Sequence, residues 1–138
     1  MHSKHLVGLR ILVVDDELDA RELVGCVLES AGATVYLADA ASTALELVAQ
    51  HTPDVMVSDI GMPDEDGYSL MRNVRALPRP EQRTIPAIAL TAFTRDVDRE
   101  SALGAGFNEH LPKPLHPAAL VQALSQLARG RSAAARAQ

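Results

Sequence analysis

The most informative part of the sequence is Asp54-Val55-Met56-Val57-Ser58-Asp59-Ile60-Gly61-Met62-Pro63-Asp64-Glu65-Asp66-Gly67, where a short apolar run ends on a carboxylate and then enters a turn. The run is too short for a helix and is typical of a strand covered on both faces in a parallel sheet. Because open α/β sheets bind ligands beyond the carboxyl ends of their strands, this position predicts a functional role for Asp59. Taken alone, Asp59 could instead simply cap the turn.

The length and composition indicate one globular domain. The chain has 138 residues, 47% of them hydrophobic and 22% charged, and no apolar run reaches the roughly 18 residues of a membrane helix. The net charge of −5 disfavours direct nucleic acid binding, which needs a basic surface. No secretory signal is seen, and the single cysteine, Cys26, lies in a helical apolar pattern. We therefore expect a cytoplasmic protein without membrane insertion, in which Cys26 is a core thiol.

Five strand-like runs alternate with five helical patterns. The predicted strands are Leu9–Val14, Thr34–Ala38, the run ending on Asp59, Ala87–Thr91 and Glu109–Pro112. The predicted helices have an apolar face from Ala20 to Ala31, a cap at Ser42 and an end at His51-Thr52-Pro53, a span of about Tyr68 to Arg75, a span near Asp96 to Ala105, and a face from Leu120 to Leu127. This alternation predicts a doubly wound parallel sheet with right-handed crossovers.

The segments outside this pattern are predicted to lack regular structure. The stretch from Leu77 to Pro86 is interpreted as a loop because its prolines disfavour a helix or a central strand. Residues 9–128 are predicted to form the domain, and residues 1–8 and 129–138 to be flexible termini or a linker.

Four of the five predicted strands end in polar side chains of related use. Asp15 and Asp16 follow the first strand, Asp59 ends the third, Thr91 ends the fourth and Lys113 follows the fifth. Each has a structural alternative on its own: the acids could serve a helix N-terminus, the threonine a turn, and the lysine could be solvated. Their convergence on one edge of the sheet favours a common site.

The chemistry of these side chains points to a cation and a phosphoryl group. Two carboxylates about 4 Å apart repel by roughly 4 kcal/mol at an effective dielectric constant near 20, so a cluster of three favours a divalent cation. Oxygen ligands without His or Cys suit Mg²⁺ better than Zn²⁺. A lysine, a hydroxyl and Mg²⁺ around one carboxylate are the groups that stabilise a phosphoryl group. Asp59 is then the natural phospho-acceptor.

From Leu9 to Leu127 the sequence resembles the receiver domain of two-component response regulators, and it looks most similar to receivers joined to hybrid histidine kinases. The resemblance rests on four motifs in the family's order: Ile11-Leu12-Val13-Val14-Asp15-Asp16-Glu17, Asp59-Ile60-Gly61-Met62-Pro63-Asp64-Glu65-Asp66-Gly67, Leu90-Thr91-Ala92 and Lys113-Pro114. It implies a flavodoxin-like (βα)5 sandwich with the parallel sheet order 2-1-3-4-5.

The resemblance also implies the chemistry of the site. Asp59 would accept a phosphoryl group from a sensor histidine kinase or a histidine phosphotransfer protein. Asp16, Asp59 and the backbone carbonyl of Gly61 would bind Mg²⁺ directly, Asp15 would hold it through water, and Lys113 would contact the acyl phosphate. The domain would be a signalling phospho-acceptor rather than an enzyme, although it would assist its own phosphorylation and dephosphorylation.

The output of such a domain is a conformational switch. Thr91 would move to bond the phosphoryl group and change the surface of the fourth predicted helix, the fifth strand and the fifth predicted helix, for an unknown downstream protein or attached domain. His110 stands where many members have a tyrosine or phenylalanine switch ring. Gly61 and Phe93 offer no polar group to orient a water molecule for hydrolysis.

Three other functions share parts of this pattern. A haloacid-dehalogenase-like phosphatase needs a second acid two residues after Asp59, where this chain has Gly61. A flavodoxin-like electron carrier would replace the acids after the first strand with a phosphate cradle. A phosphorylation-independent protein-binding module could keep the receiver fold without its chemistry.

Overall fold

The computed structural model describes residues 5–60, 67–91, 96–113 and 116–137, and the side chains within them except for residues 96–99 and 130–137. The strands are β1 (Arg10–Val14), β2 (Thr34–Ala38), β3 (Val55–Asp59), β4 (Ala87–Thr91) and β5 (Glu109–Pro112). The helices are α1 (Leu18–Ser30), α2 (Ala41–His51), α3 (Gly67–Arg75), α4 (Pro80–Arg83), α5 (Asp96–Ala105) and α6 (Pro117–Ala137). The fourth and fifth predicted helices are therefore α5 and α6.

The five strands form one parallel sheet in the order β2-β1-β3-β4-β5. Val14 pairs with Ser58, Asp59 with Leu90, and Thr91 with Pro112. The carboxyl ends of β1, β3, β4 and β5 therefore lie side by side at one edge of the sheet. The predicted fold class and strand order are confirmed.

Helices cover both faces of the sheet, and each face has its own apolar core. In β1, Leu12 and Val14 pack with α2, α3 and α5, whereas Ile11 and Val13 face the core formed with α1 and α6. β3 and β4 are buried along their whole length, which is why they contain the continuous apolar runs Val55–Val57 and Ala87–Leu90 rather than alternating residues. Within the described residues, no helix is long and apolar enough to cross a bilayer.

Two helices differ from the sequence prediction. The predicted loop from Leu77 to Pro86 contains the single turn α4, which Pro80 begins at a position where its missing N–H costs nothing. The last helix continues to Ala137 instead of ending near Leu127, because the alanines and arginines of this stretch favour a helix even where the apolar period stops. The flexible or linker character predicted for residues 129–138 stays a prediction.

Two side-chain predictions are wrong. Cys26 is exposed rather than in the core, because α1 buries Val24 and Leu28, and a residue two positions away points to the far side of a helix. Ser42 is not the cap of α2, since the helix begins at Ala41 and its N-cap is Ala40.

Arg75 links the backbone at the amino ends of β4 and β5, on the edge of the sheet opposite the predicted site. Its guanidinium makes five hydrogen bonds, to the carbonyls of Arg83, Ile85 and twice Gly106, and to Oδ1 of Asn108. All five N–H groups that a guanidinium carries are used. Asn108 in turn exchanges hydrogen bonds with the backbone of Ala87. These contacts fix where β4 and β5 begin.

Gly67 lies against the end of β3. Its N–H donates to the carbonyl of Ile60 at 2.9 Å, so Ile60 and Gly67 are in direct contact. A Cβ atom at Gly67 would lie 2.6 Å from the carbonyl oxygen of Asp59 and 3.0 Å from Cα of Ile60. Backbone atoms cannot move aside as the end of a flexible side chain can.

We expect Gly67→Ala to lower the free energy of unfolding by about 1–3 kcal/mol, because the backbone around Asp59 must shift. The matched control is Gly104→Ala in α5, where a Cβ atom meets no atom within 4 Å, and where alanine should stabilise the helix by about 0.5–1 kcal/mol. Urea unfolding of both variants measures the difference. Equal effects of the two substitutions would contradict the close approach.

Candidate functional site

Asp15 is placed by the backbone that leaves β1. Its N–H continues the sheet by donating to the carbonyl of Ala38 at 3.1 Å. Its Oδ1 accepts the N–H of Glu17 at 3.0 Å, which tightens the turn into α1. Asp15 therefore stabilises the turn into α1, as its structural alternative predicted, and also lies at the candidate site.

Three carboxylates meet at the carboxyl edge of the sheet. One oxygen each from Asp15, Asp16 and Asp59 lies within 4.8 Å of the others. Asp15 and Asp59 are buried, with 3% and 8% of their surface exposed, whereas Asp16 is exposed. The clustering predicted from the sequence is thus observed.

Lys113 is the cation that faces this cluster. Its Nζ lies 3.0 Å from Oδ1 of Asp59 and 3.7 Å from Oδ2 of Asp15. Its backbone N–H donates to the carbonyl of Thr91 at 2.9 Å, so the pairing of β4 with β5 continues to the residue that carries the ammonium group. One lysine therefore neutralises part of the charge of the carboxylates.

Burial and neighbouring charges both perturb the pKa values of Asp15 and Lys113. Burial raises the pKa of Asp15, the N–H of Glu17 lowers it, Asp59 raises it, and Lys113 lowers it, with a raised pKa as the result. For Lys113, burial lowers the pKa, but the hydrogen bond and charge of Asp59 and the charge of Asp15 outweigh burial, and the pKa is raised. The site therefore favours bound protons when no other cation is present.

The remaining predicted site residues lie on β4 and β5 or outside the described residues. Thr91 is buried at the end of β4, one residue beyond Leu90, which pairs with Asp59. His110 is partly buried in β5 and pairs with Ala89. Because side chains alternate along a strand, Thr91 and His110 point from the face of the sheet on which Ala89 packs with α5. Gly61 and Phe93 lie outside the described residues.

Two further residues contact the site without having been predicted from the sequence. Gly67 abuts the carbonyl of Asp59, whereas the sequence indicates only that it ends the turn and the motif that begin at Asp59. Arg21 donates from Nη1 to the carbonyl oxygen of Asp15 at 2.9 Å. Its sequence signal is a cation in the first turn of a helix, where the macrodipole disfavours positive charge.

The donor set fits a small divalent cation. All three side chains offer oxygen, the ligand type of Mg²⁺. In an octahedral Mg²⁺ site, neighbouring oxygens lie about 3 Å apart and opposite ones about 4.2 Å apart. Carboxylates whose oxygens lie up to 4.8 Å apart would therefore move closer around the ion, or one of them would bind it through water. A bound cation would also offset the repulsion that Lys113 leaves uncompensated.

We expect Asp15→Asn to stabilise the Mg²⁺-free protein at pH 7 by about 1 kcal/mol. Since the pKa of Asp15 is raised on folding, its stabilising contribution is present below its unfolded pKa and is lost as the pH rises through the folded pKa. The advantage of the variant should thus disappear below about pH 3.8, where the wild-type carboxyl is protonated in both states. Asp54→Asn, at the opposite end of β3, is the control. Urea unfolding at several pH values measures these stabilities. An Asp15→Asn variant less stable than the wild type at pH 7 would contradict the prediction.

Comparison with known proteins identifies the family. The family model for the response regulator receiver domain matches residues 11–125. An uncharacterised 14.6 kDa protein of Leptolyngbya boryana is 46% identical over 88% of this chain and 91% of its own length. The transcriptional regulatory protein PhoP of Escherichia coli is 32% identical over 90% of this chain but 54% of its own length, so the chain spans about half of that relative.

Kinases and solved structures are also among the similar proteins. The signal transduction histidine-protein kinase BarA of Shigella flexneri is 35% identical over 79% of this chain and 12% of its own length. The crystal structure of a putative response regulator from Chloroflexus aurantiacus has a TM-score of 0.81 at 31% identity, covering 88% of this chain and 98% of that one. The chemotaxis response regulator CheY4 of Vibrio cholerae has a TM-score of 0.79 at 28% identity, covering 86% and 98%. The chain therefore belongs to the receiver domain family of response regulators.

Proposed function

We propose that this receiver domain is the phospho-acceptor of a two-component phosphorelay and that Asp59 receives the phosphoryl group. The main support for the proposal is the set of charged groups around the buried carboxylate of Asp59. Oδ1 of Asp59 lies 3.0 Å from Nζ of Lys113, and Asp15 and Asp16 each offer an oxygen within 4.8 Å. These groups can hold a metal ion and neutralise a phosphoryl group at the same carboxylate.

In the proposed reaction, an oxygen of Asp59 attacks the phosphorus of a phosphohistidine. The P–O bond forms as the P–N bond breaks, and the electron pair of that bond returns to the imidazole. Lys113 is already in contact with Asp59 and can follow the negative charge onto the phosphoryl oxygens. Asp16, Asp59 and the carbonyl of Gly61 would hold Mg²⁺ directly and Asp15 would hold it through water, and the ion would supply the remaining positive charge.

The donor and the output follow from the family. A sensor histidine kinase or a histidine phosphotransfer protein is the proposed donor, and the similarity to PhoP and BarA supports a two-component context. The proposed output is a change at α5, β5 and α6 that a downstream protein or an attached domain reads. Thr91, at the end of β4, would respond to the phosphoryl group, and His110 in β5 would follow it. We propose a cytoplasmic location and, from the net charge of −5, no direct nucleic acid binding.

We expect Asp59→Asn to abolish phosphoryl uptake while the fold remains intact, because an amide keeps the shape of the side chain but is not a nucleophile. Intact-mass spectrometry after treatment with acetyl phosphate and Mg²⁺ measures the uptake. The matched control is Asp54→Asn, since Asp54 lies at the other end of β3 and accepts the N–H of Arg10. Uptake by Asp59→Asn equal to that of the wild type would place the phosphoryl group on another residue and sink the assignment. No uptake by the wild type would instead favour a binding module that works without phosphorylation.

We expect Asp16→Ala to weaken Mg²⁺ binding and to slow phosphorylation at least about tenfold. Without Mg²⁺, the variant should be as stable as the wild type or more stable, because the substitution removes one exposed carboxylate from a cluster of like charges. Calorimetric titration with Mg²⁺ and urea unfolding measure the two effects. Asp19→Ala is the control of equal charge, since Asp19 lies in the first turn of α1 outside the cluster. A clear loss of apo stability in Asp16→Ala would assign Asp16 a structural role instead.

A further inference from the structure

Arg21 occupies a position that helix electrostatics does not explain. It is the fourth residue of α1, where the positive end of the helix dipole disfavours a cation. It also brings a positive charge to the turn that carries three acids, Asp15, Asp16 and Glu17, two of them in the carboxylate cluster. A charge of this sign opposes the binding of a divalent cation nearby.

The hydrogen bond of Arg21 gives a different reason for its presence. Nη1 donates to the carbonyl oxygen of Asp15 at 2.9 Å in a partly buried contact. That carbonyl belongs to the peptide plane between Asp15 and Asp16. Since the N–H of Asp15 is bonded to Ala38 and its Oδ1 accepts the N–H of Glu17, Arg21 completes the restraint of the last residue before Asp16.

Asp16 depends on this restraint more than the other two acids do. Asp15 and Asp59 are buried, whereas Asp16 is exposed, so core packing does not hold its side chain. The peptide plane that precedes Asp16 restrains its backbone and, through it, the direction of its Cα–Cβ bond. A partner that fixes this plane therefore lowers the conformational entropy that Asp16 loses when it binds a cation.

We propose that Arg21 is a positioning residue of the cation site, which orients Asp16 through the carbonyl of Asp15. This inference rests on the proposed function, because Asp16 must be a ligand for its orientation to matter. The two possible effects of Arg21 have opposite signs. As a positioning residue it strengthens Mg²⁺ binding, whereas as a nearby charge alone it weakens it.

The test is Mg²⁺ titration of Arg21→Met by calorimetry. We expect the dissociation constant to rise about tenfold, the usual effect of removing a residue that supports a metal ligand. Arg21→Lys, which keeps the charge and an N–H donor, should lie between the wild type and Arg21→Met. Arg83→Met is the matched control and should bind like the wild type, since Arg83 also donates to a backbone carbonyl, that of Pro78, but in the turn around α4.

A second measurement needs no metal. In the Mg²⁺-free protein, hydrogen exchange of the Glu17 amide should be faster in Arg21→Met than in the wild type, because that amide is bonded to Asp15. If Mg²⁺ binding by Arg21→Met is unchanged or tighter, or if the exchange of Glu17 is unchanged, the positioning role is overturned. If the wild type itself shows no saturable Mg²⁺ binding and no phosphoryl uptake, the proposed function fails instead.

Discussion

The contact of Lys113 with the carboxylates of Asp59 and Asp15 is the interaction on which the site depends. Three acids lie at the end of the sheet with an oxygen of each within 4.8 Å of the others. At an effective dielectric constant near 20, two unit charges at that distance repel by about 3.5 kcal/mol. The ammonium group lies 3.0 and 3.7 Å from two of them and lowers the cost of burying them. It does not offset that cost fully, since burial and, to a smaller extent, the charge of Asp59 still raise the pKa of Asp15. The uncompensated charge lowers the stability of the folded protein and favours the binding of a further cation at this site.

The reach of Lys113 depends on contacts at the opposite edge of the sheet. A shift of β5 by one residue would turn Lys113 to the other face. The register is set where the strands begin, by the paired hydrogen bonds of Asn108 with Ala87 and by Arg75, which holds Asn108 and the carbonyl of Gly106. The bond between the N–H of Lys113 and the carbonyl of Thr91 then ends the pairing at the site. An arginine far from the acids therefore contributes to their geometry.

The sequence predicted the sheet and the main acids because both follow from local patterns. Apolar runs define β3 and β4, and the acids come directly after such runs, so parallel pairing alone brings Asp15, Asp16 and Asp59 together. Arg21 and Arg75 were not predicted, since a long side chain bonded to a distant carbonyl leaves no periodic signal. Cys26 was placed in the core because its neighbours in the chain are apolar, although the period of the helix turns it outward.

The proposed switch has one fixed end. α5 leads to Gly106, whose φ of +116° suits glycine, and a Cβ atom there would lie 2.8 Å from Cγ of Arg75. The carbonyl of Gly106 accepts two hydrogen bonds from the guanidinium, and moving this end would break charge-assisted bonds, each stronger than an ordinary backbone bond. The helix presents alanines, Ala102 and Ala105, to the core, and these bury little apolar surface. In the proposed switch, a movement of α5 would therefore be most restrained at Gly106. A pivot of the helix about its carboxyl end would break fewer of these bonds than a displacement of the whole helix.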